Sequence, residues 1–182
     1  GVKIKMYGYN GQIPGPLIKI KQGSTAYVNF TNHIDMETTI HWHGIRLENK
    51  FDGVPKITQA PVKPGHSFIY KLDFPDEGVY WYHPHIREDL QQELGLYGNI
   101  LVKPSDEHYF NKANNEVFLF LDDIKMAKYD VDVFTKDFAR FALMGRFGNT
   151  MLINGETDYR LNIKKGGIIR FYITNSANTR TF

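Results

Sequence analysis

The sequence contains no cysteine among its 182 residues. This absence excludes a disulfide framework, thiolate zinc sites and cysteine nucleophiles. Long hydrophobic runs are also missing, because the longest, residues 117–121, is far shorter than the ~20 residues that a membrane helix needs. Nor is one sign of charge in excess: 22 basic residues face 20 acidic ones and are spread along the chain. We therefore expect neither a nucleic-acid-binding surface nor a membrane span.

The residues that are present describe an ordinary globular chain. Hydrophobic residues make up 42% of the sequence and aromatic residues 14%, which is enough to build a core and unlike the composition of disorder. The length suits one large domain or two small ones. The chain begins without a methionine or a signal-peptide pattern and ends just after a strand-like run. These ends favour a chain that was cut from something longer or is incompletely represented.

The dominant hydrophobic period is two. Apolar and polar side chains alternate over residues 26–30, 68–74 and 169–173, and a similar alternation covers residues 2–7. Turn dipeptides such as Asn-Gly, Asp-Gly and Pro-Gly separate these runs. The pattern predicts an all-β fold with antiparallel strands in a sandwich or barrel. One segment, residues 88–94, is typical of a short helix that ends at a glycine cap.

A polar stretch divides the chain. We interpret residues 1–104 as a complete β-domain, 105–115 as a linker and 116–182 as the beginning of a second domain. The Asn-Gly turn of residues 10–12 and the strand after it are echoed from residue 154 onward. Duplication of one domain would explain the echo, and chance similarity of hairpin turns remains the alternative.

Two His-x-His pairs carry the strongest chemical signal. His41 and His43 form one pair, and His83 and His85 form the other. In a strand, residues i and i+2 point to the same face, so each pair aims two imidazoles in one direction. Imidazole suits copper and zinc, and no thiolate is available. A single pair is often a chance pattern on an exposed strand, but two pairs in aromatic surroundings predict a metal site. The remaining histidines are interpreted as ordinary polar residues: His33, His66 and His108.

At these motifs the sequence resembles the multicopper oxidases, and in particular the laccase-like members of that family. The resemblance rests on the segments 9–16, 38–45, 52–55, 58–59, 64–65, 81–85 and 95–98, in that order. It continues less specifically into a second segment, through residues 144–149, 154–155 and 170–180. It implies a cupredoxin-like Greek-key β-sandwich or barrel, with one complete domain followed by part of a second.

The resemblance also implies a role for each histidine. His41 matches the family's type 2 copper ligand, while His43, His83 and His85 match ligands of the type 3 copper pair. These coppers form a trinuclear cluster, where dioxygen is reduced to water. Asp52, nine residues after His43, matches an acidic residue that the family keeps beside the cluster. It is a candidate proton relay, although Asp-Gly is also a common turn.

The rest of the family's machinery is expected outside these residues. The type 1 copper needs a cysteine, so it is expected in a C-terminal cupredoxin domain of the same chain or of a partner. The reductant that the resemblance implies is a small molecule or a metal ion, and the location is periplasmic or secreted. The 182 residues alone are expected to be inactive.

Residues near the histidines have plainer interpretations, and two other functions stay open. We expect Glu88, Asp89 and Glu93 to form a solvated helix face with at most a minor part in proton transfer. Packing is expected of the aromatic residues Trp42, Tyr80, Trp81 and Tyr82.

One alternative function is that of a two-domain copper oxidase or a nitrite reductase-like enzyme, the latter disfavoured because its first domain carries a cysteine. The other is a non-catalytic cupredoxin relative that binds copper or another protein.

Overall fold

The computed structural model describes residues 3–182, and its secondary structure consists mainly of strands. The first part contains β1 (Ile18–Lys21), β2 (Thr25–Thr31), β3 (His41–His43), β4 (Ser67–Asp73), β5 (Gly78–His83) and β6 (Gly98–Lys103). These strands form a four-stranded sheet in the order β1-β6-β5-β3 and a two-stranded sheet of β2 and β4. The predicted all-β fold class is confirmed.

The core lies between these two sheets. Along β2 and β4 the burial alternates as predicted, so that Val28 and its partner Tyr70 face inward while Tyr27 faces solvent. The buried cluster draws on both sheets: Ile40, Trp42, Tyr70, Leu72, Phe74, Tyr82, Ile100 and Val102. Burial of each large apolar side chain contributes roughly 1.5–3 kcal/mol. The core therefore gives a rigid backing to β3 and β5, the strands that carry three of the four paired histidines.

Two strand pairs are parallel, which corrects the expectation of a wholly antiparallel arrangement. β1 runs parallel to β6, with Ile18 opposite Ile100. Side chains alternate between the two faces of a sheet in parallel and in antiparallel strands alike, so a period of two carries no information on strand direction.

The alternation over residues 2–7 does not correspond to a strand. Residue 2 lies outside the described residues, and residues 3–8 have no strand assignment. The Tyr7 N–H instead donates to the carbonyl oxygen of Leu94 at 2.8 Å, and the side chains of Lys5 and Tyr7 both donate to Asp35. The prediction was wrong because an alternating pattern requires a partner strand, and this segment is held by single contacts.

The second part of the chain forms a separate sheet. Its strands are β7 (Asn115–Ile124), β8 (Thr150–Ile153) and β9 (Ile169–Asn175), in the order β8-β7-β9. Here β7 runs parallel to β9, which is the second departure from antiparallel pairing. The domain boundaries themselves remain a prediction.

The helices are short. α1 (Glu88–Gln91) is shorter than the predicted 88–94, and hydrogen-bonded turns continue from it to Gly95, where φ is 114°. α2 (Phe138–Met144) was not predicted; it is a helix of seven residues, of which only Phe141 is buried. Two 3-10 helices are also short, Asn49–Phe51 and Phe134–Asp137. No helix within residues 3–182 has the length and apolar character to cross a membrane.

Buried polar contacts join the two parts of the chain. Glu93 and Arg146 form an ion pair in which each side chain is 1% exposed. The Asn178 side chain also donates to Glu93, and the Tyr97 hydroxyl donates to Asp122 at 2.7 Å. Glu93 therefore does not belong to a solvated helix face, and that expectation was wrong. Its partner lies 53 residues further along the chain, so no local pattern indicates its burial.

Candidate metal centre

Strand register brings the histidines together. β3 and β5 pair antiparallel with His41 opposite His83 and His43 opposite Trp81. The ligating atoms of His41, His43 and His83 all lie within 4.8 Å of one another. His85 follows the end of β5, and its ring centroid is 5.1 Å from that of His41 and 6.1 Å from that of His83. All four predicted ligands thus lie at one place on the edge of the sheet.

A backbone carbonyl fixes the ring of His41. Nδ1 of His41 lies 2.8 Å from the carbonyl oxygen of Asp52. A carbonyl can only accept, so Nδ1 carries the hydrogen and Nε2 keeps the lone pair that can bind a metal. The Asp52 carboxylate is 3.4 Å from the same Nδ1. Its role as a proton relay remains a prediction.

Gly53 allows this carbonyl to approach. Its φ is 78°, and a Cβ built on it would lie 2.0 Å from the carbonyl oxygen of Ile40. Only a residue without a side chain fits here, because the turn after Asp52 packs directly against the backbone that enters β3. The chain bends at Asp52, directly after the 3-10 helix Asn49–Phe51, and the backbone there orients a predicted ligand.

Ring nitrogens of His43 and His83 are in direct contact. Nδ1 of His83 donates to the carbonyl oxygen of Pro84 at 2.8 Å, which directs its Nε2 into the cluster. That Nε2 is 3.2 Å from Nδ1 of His43. Metal–imidazole distances are about 2.0–2.1 Å, so both nitrogens are close enough to bind the same ion.

His85 is held by a side chain. Its Nδ1 lies 2.9 Å from Oε1 of Glu88, whose side chain is 44% exposed. Glu88 therefore does more than occupy a solvated helix face, since its carboxylate contacts a predicted ligand. The side chain of Asp89 instead accepts two hydrogen bonds from Arg87.

The surroundings of two of the imidazoles lower their pKa. The pKa of His83 is lowered to about 4, mainly by burial; the hydrogen bond to the Pro84 carbonyl opposes this shift, and the neighbouring histidines add to it. Burial also lowers the pKa of His43, with a smaller contribution from His41 and His85. Both rings are therefore neutral at pH 7, the form that binds metal. A set of neutral imidazoles without thiolate suits copper.

The aromatic neighbours divide into two groups. Trp42 and Tyr82 lie in the core, as predicted. Trp81 instead stacks on His83, with ring centroids 4.2 Å apart, and lies 5.3 Å from His43. The contact with His83 follows from period two within β5 and could have been found from the sequence, whereas the approach to His43 requires the strand register that places Trp81 opposite it.

The other histidines lie apart from the cluster. His33, His66 and His108 are all exposed, consistent with their interpretation as ordinary polar residues. Within residues 3–182, the set of His41, His43 and His83 is the one group of three or more potential ligands that could hold a metal ion. The fold and this cluster together define a β-sheet protein with a group of imidazoles that could hold a metal ion.

Comparisons with known proteins identify the family. A family model described as multicopper oxidase matches residues 1–107, more than half of the chain. The chain belongs to the multicopper oxidase family, a family of copper oxidoreductases, as its sequence motifs predicted.

Individual relatives agree. The chain is 35% identical over 113 residues to copper resistance protein A of Pseudomonas syringae pv. tomato, covering 62% of this chain and 18% of that protein. It is 31% identical over 179 residues to the multicopper oxidase mco of Staphylococcus aureus, covering 95% of this chain and 38% of that one. The crystal structure of a multicopper oxidase from Pseudomonas thermotolerans matches with a TM-score of 0.87 and 34% identity, over 97% of this chain and 42% of that chain. The 182 residues thus span less than half the length of each of these proteins.

Proposed function

We propose that this chain provides one side of the trinuclear copper cluster of a laccase-like multicopper oxidase. His41 binds the type 2 copper, and His43, His83 and His85 bind the type 3 pair. The observation that carries this proposal is the register of β3 and β5, which brings the ligating atoms of His41, His43 and His83 within 4.8 Å of one another. Copper held there supplies the one-electron steps by which dioxygen is reduced to water.

The protein's own groups prepare the ligands. The Asp52 and Pro84 carbonyls and the Glu88 carboxylate occupy Nδ1 of His41, His83 and His85. Nε2 of each of these rings therefore has the lone pair that can bind a metal, whereas His43 presents Nδ1 to the cluster. Because these orientations are set before metal binds, little reorganisation is needed on binding.

Asp52 is the group that we assign to proton delivery. Reduction of dioxygen to water consumes protons, and the Asp52 carboxylate lies 3.4 Å from Nδ1 of His41. Its side chain is 33% exposed, so it faces solvent as well as the His41 ring. A carboxylate in that position can pass protons inward from water.

Electron entry is assigned to residues outside this sequence. The chain contains no cysteine for a type 1 copper. We propose that a C-terminal cupredoxin domain of the same or a partner chain holds that copper and accepts electrons from a small-molecule or metal-ion reductant. The names of two relatives, copper resistance protein A and multicopper oxidase mco, support a copper-linked role. A periplasmic or secreted location is part of the same proposal.

The double variant His41→Ala/His83→Ala in the full-length protein tests this function. We expect oxygen consumption to be lost while the blue type 1 absorption remains, because only the oxygen-side ligands are removed. The matched control is His33→Ala/His66→Ala, which removes two exposed histidines. Oxygen turnover that survives in the first variant would contradict the assignment.

A further inference from the structure

His85 differs from the other three predicted ligands in how it is held. His41 and His43 lie within β3 and His83 ends β5, whereas His85 lies beyond the strand. The rings of His41 and His83 donate to backbone carbonyls, but the Nδ1 of His85 contacts the side chain of Glu88. The orientation of His85 thus depends on a group that a substitution can remove.

The backbone between the two residues is shaped to make this contact. Arg87 has φ 44° and ψ 55°, a left-handed conformation that is uncommon for a residue other than glycine. This residue reverses the chain, so that α1 begins at Glu88 and the carboxylate returns to the ring three residues earlier. Conformations of this kind persist only where the surroundings determine them, and they concentrate at functional sites.

The position of α1 is fixed from its other end. Gln91 is fully buried, and its side chain accepts a hydrogen bond from Thr38 Oγ1 at 2.6 Å and donates to the carbonyl oxygen of Glu37 at 2.9 Å. Thr38 precedes β3 by three residues. The helix that carries Glu88 is therefore tied to the segment that leads into His41.

The adjacent acidic residue does not share this role. Both carboxylate oxygens of Asp89 accept from the Arg87 guanidinium at 2.9 Å. Glu88 and Asp89 are thus neighbours of the same charge in the same helical turn, and only Glu88 contacts a histidine ring.

From these contacts we propose that Glu88 is a positioning residue, which holds the hydrogen of His85 on Nδ1 and so makes Nε2 its metal-binding atom. The proposal rests on the function proposed for His85. A carboxylate accepts a hydrogen bond and offers none, so the nitrogen that faces it carries the hydrogen. The partner of one ring nitrogen decides which nitrogen is left for the metal.

Nitrogen NMR of the metal-free full-length protein at one fixed neutral pH tests the tautomer. We expect the hydrogen of His85 on Nδ1 in the wild type and a shift of population to Nε2–H in Glu88→Ala. Glu88→Gln keeps an oxygen acceptor and should restore the wild-type tautomer. The control is Asp89→Ala, which removes the adjacent carboxylate and should leave His85 unchanged.

Copper titration of the same proteins gives the second readout. We expect Glu88→Ala to weaken copper binding about 10–100-fold, with Glu88→Gln closer to the wild type. If His85 keeps its hydrogen on Nδ1 in Glu88→Ala, the positioning role is overturned, whatever the copper affinity. A wild-type protein that takes up no copper would instead overturn the proposed function, while the tautomer of His85 would still decide the role of Glu88.

Discussion

Gly53 forms the turn behind His41, and Gly53→Ala probes how tightly that turn packs. The new Cβ would lie 2.0 Å from the Ile40 carbonyl oxygen and 2.9 Å from the backbone nitrogen of His41. An L-residue in the left-handed region costs about 1–2 kcal/mol, and overpacking against a fixed backbone costs about 1–3 kcal/mol more. We therefore expect the free energy of unfolding to fall by about 2–5 kcal/mol.

The matched control for this substitution is Gly65→Ala. Gly65 has nearly the same φ, 77° against 78° at Gly53, but nothing lies within 4 Å of its added Cβ. Changes in the entropy of the unfolded chain are alike in the two variants and cancel in the comparison. Urea unfolding should therefore show Gly53→Ala to be less stable than Gly65→Ala by about 1–3 kcal/mol.

The site gives the Gly53 prediction a second readout. Relief of the overlap moves the Asp52 carbonyl away from His41, so Gly53→Ala should also bind copper more weakly than Gly65→Ala. Equal unfolding free energies for the two variants would refute the reasoning, because the structural difference between them is the contact with Ile40.

Two further predictions concern the buried polar contacts between the two parts of the chain. Arg146→Met leaves the Glu93 carboxylate buried without its partner and should lower the unfolding free energy by about 3–5 kcal/mol, whereas Arg146→Met/Glu93→Leu should recover much of that loss in urea unfolding. A double variant no more stable than the single one would contradict this account. Burial raises the pKa of Asp122 from 3.8 to about 6. Between these two pH values the Asp122 carboxyl is protonated in the folded state but ionised in the unfolded state, so the free energy of unfolding falls as pH rises from 3.8 to about 6. The wild type should therefore lose up to about 3 kcal/mol of unfolding free energy between about pH 4 and pH 7, and Asp122→Asn should not show this loss. Parallel pH profiles of stability for the wild type and Asp122→Asn would count against this prediction.

In β2 and β4 the sequence predicts the face of each residue better than the partner of each strand. In β9 the predicted face is wrong, because Phe171 and Ile173 are exposed and Tyr172 between them is buried. The alternation over 26–30 and 68–74 gave the correct inward face, because side-chain direction in a strand is a local property. The parallel pairings of β1 with β6 and of β7 with β9 are contacts between distant segments. The same distinction explains the alternation predicted over residues 2–7, because its described part, residues 3–7, has no partner strand.

At the candidate site, the identities of the histidines could be predicted but their orientations could not. Period-two spacing and aromatic flanks are visible in the sequence around His41 and His83. The carbonyl groups of Asp52 and Pro84 that fix those rings are backbone atoms, and any residue type supplies such atoms. The position of Glu88 three residues after His85 weakly indicated that it lies near the site, but its contact with the His85 ring depends on the left-handed backbone of Arg87.

Copper content of the full-length protein tests the central claim most directly. After loading with copper and removal of free metal, the wild type should hold about four ions per chain, three in the cluster and one at the type 1 site. His41→Ala/His83→Ala should hold about one, because the type 1 ligands are untouched. A wild type with one copper or none, or a double variant that keeps the wild-type content, would contradict the account.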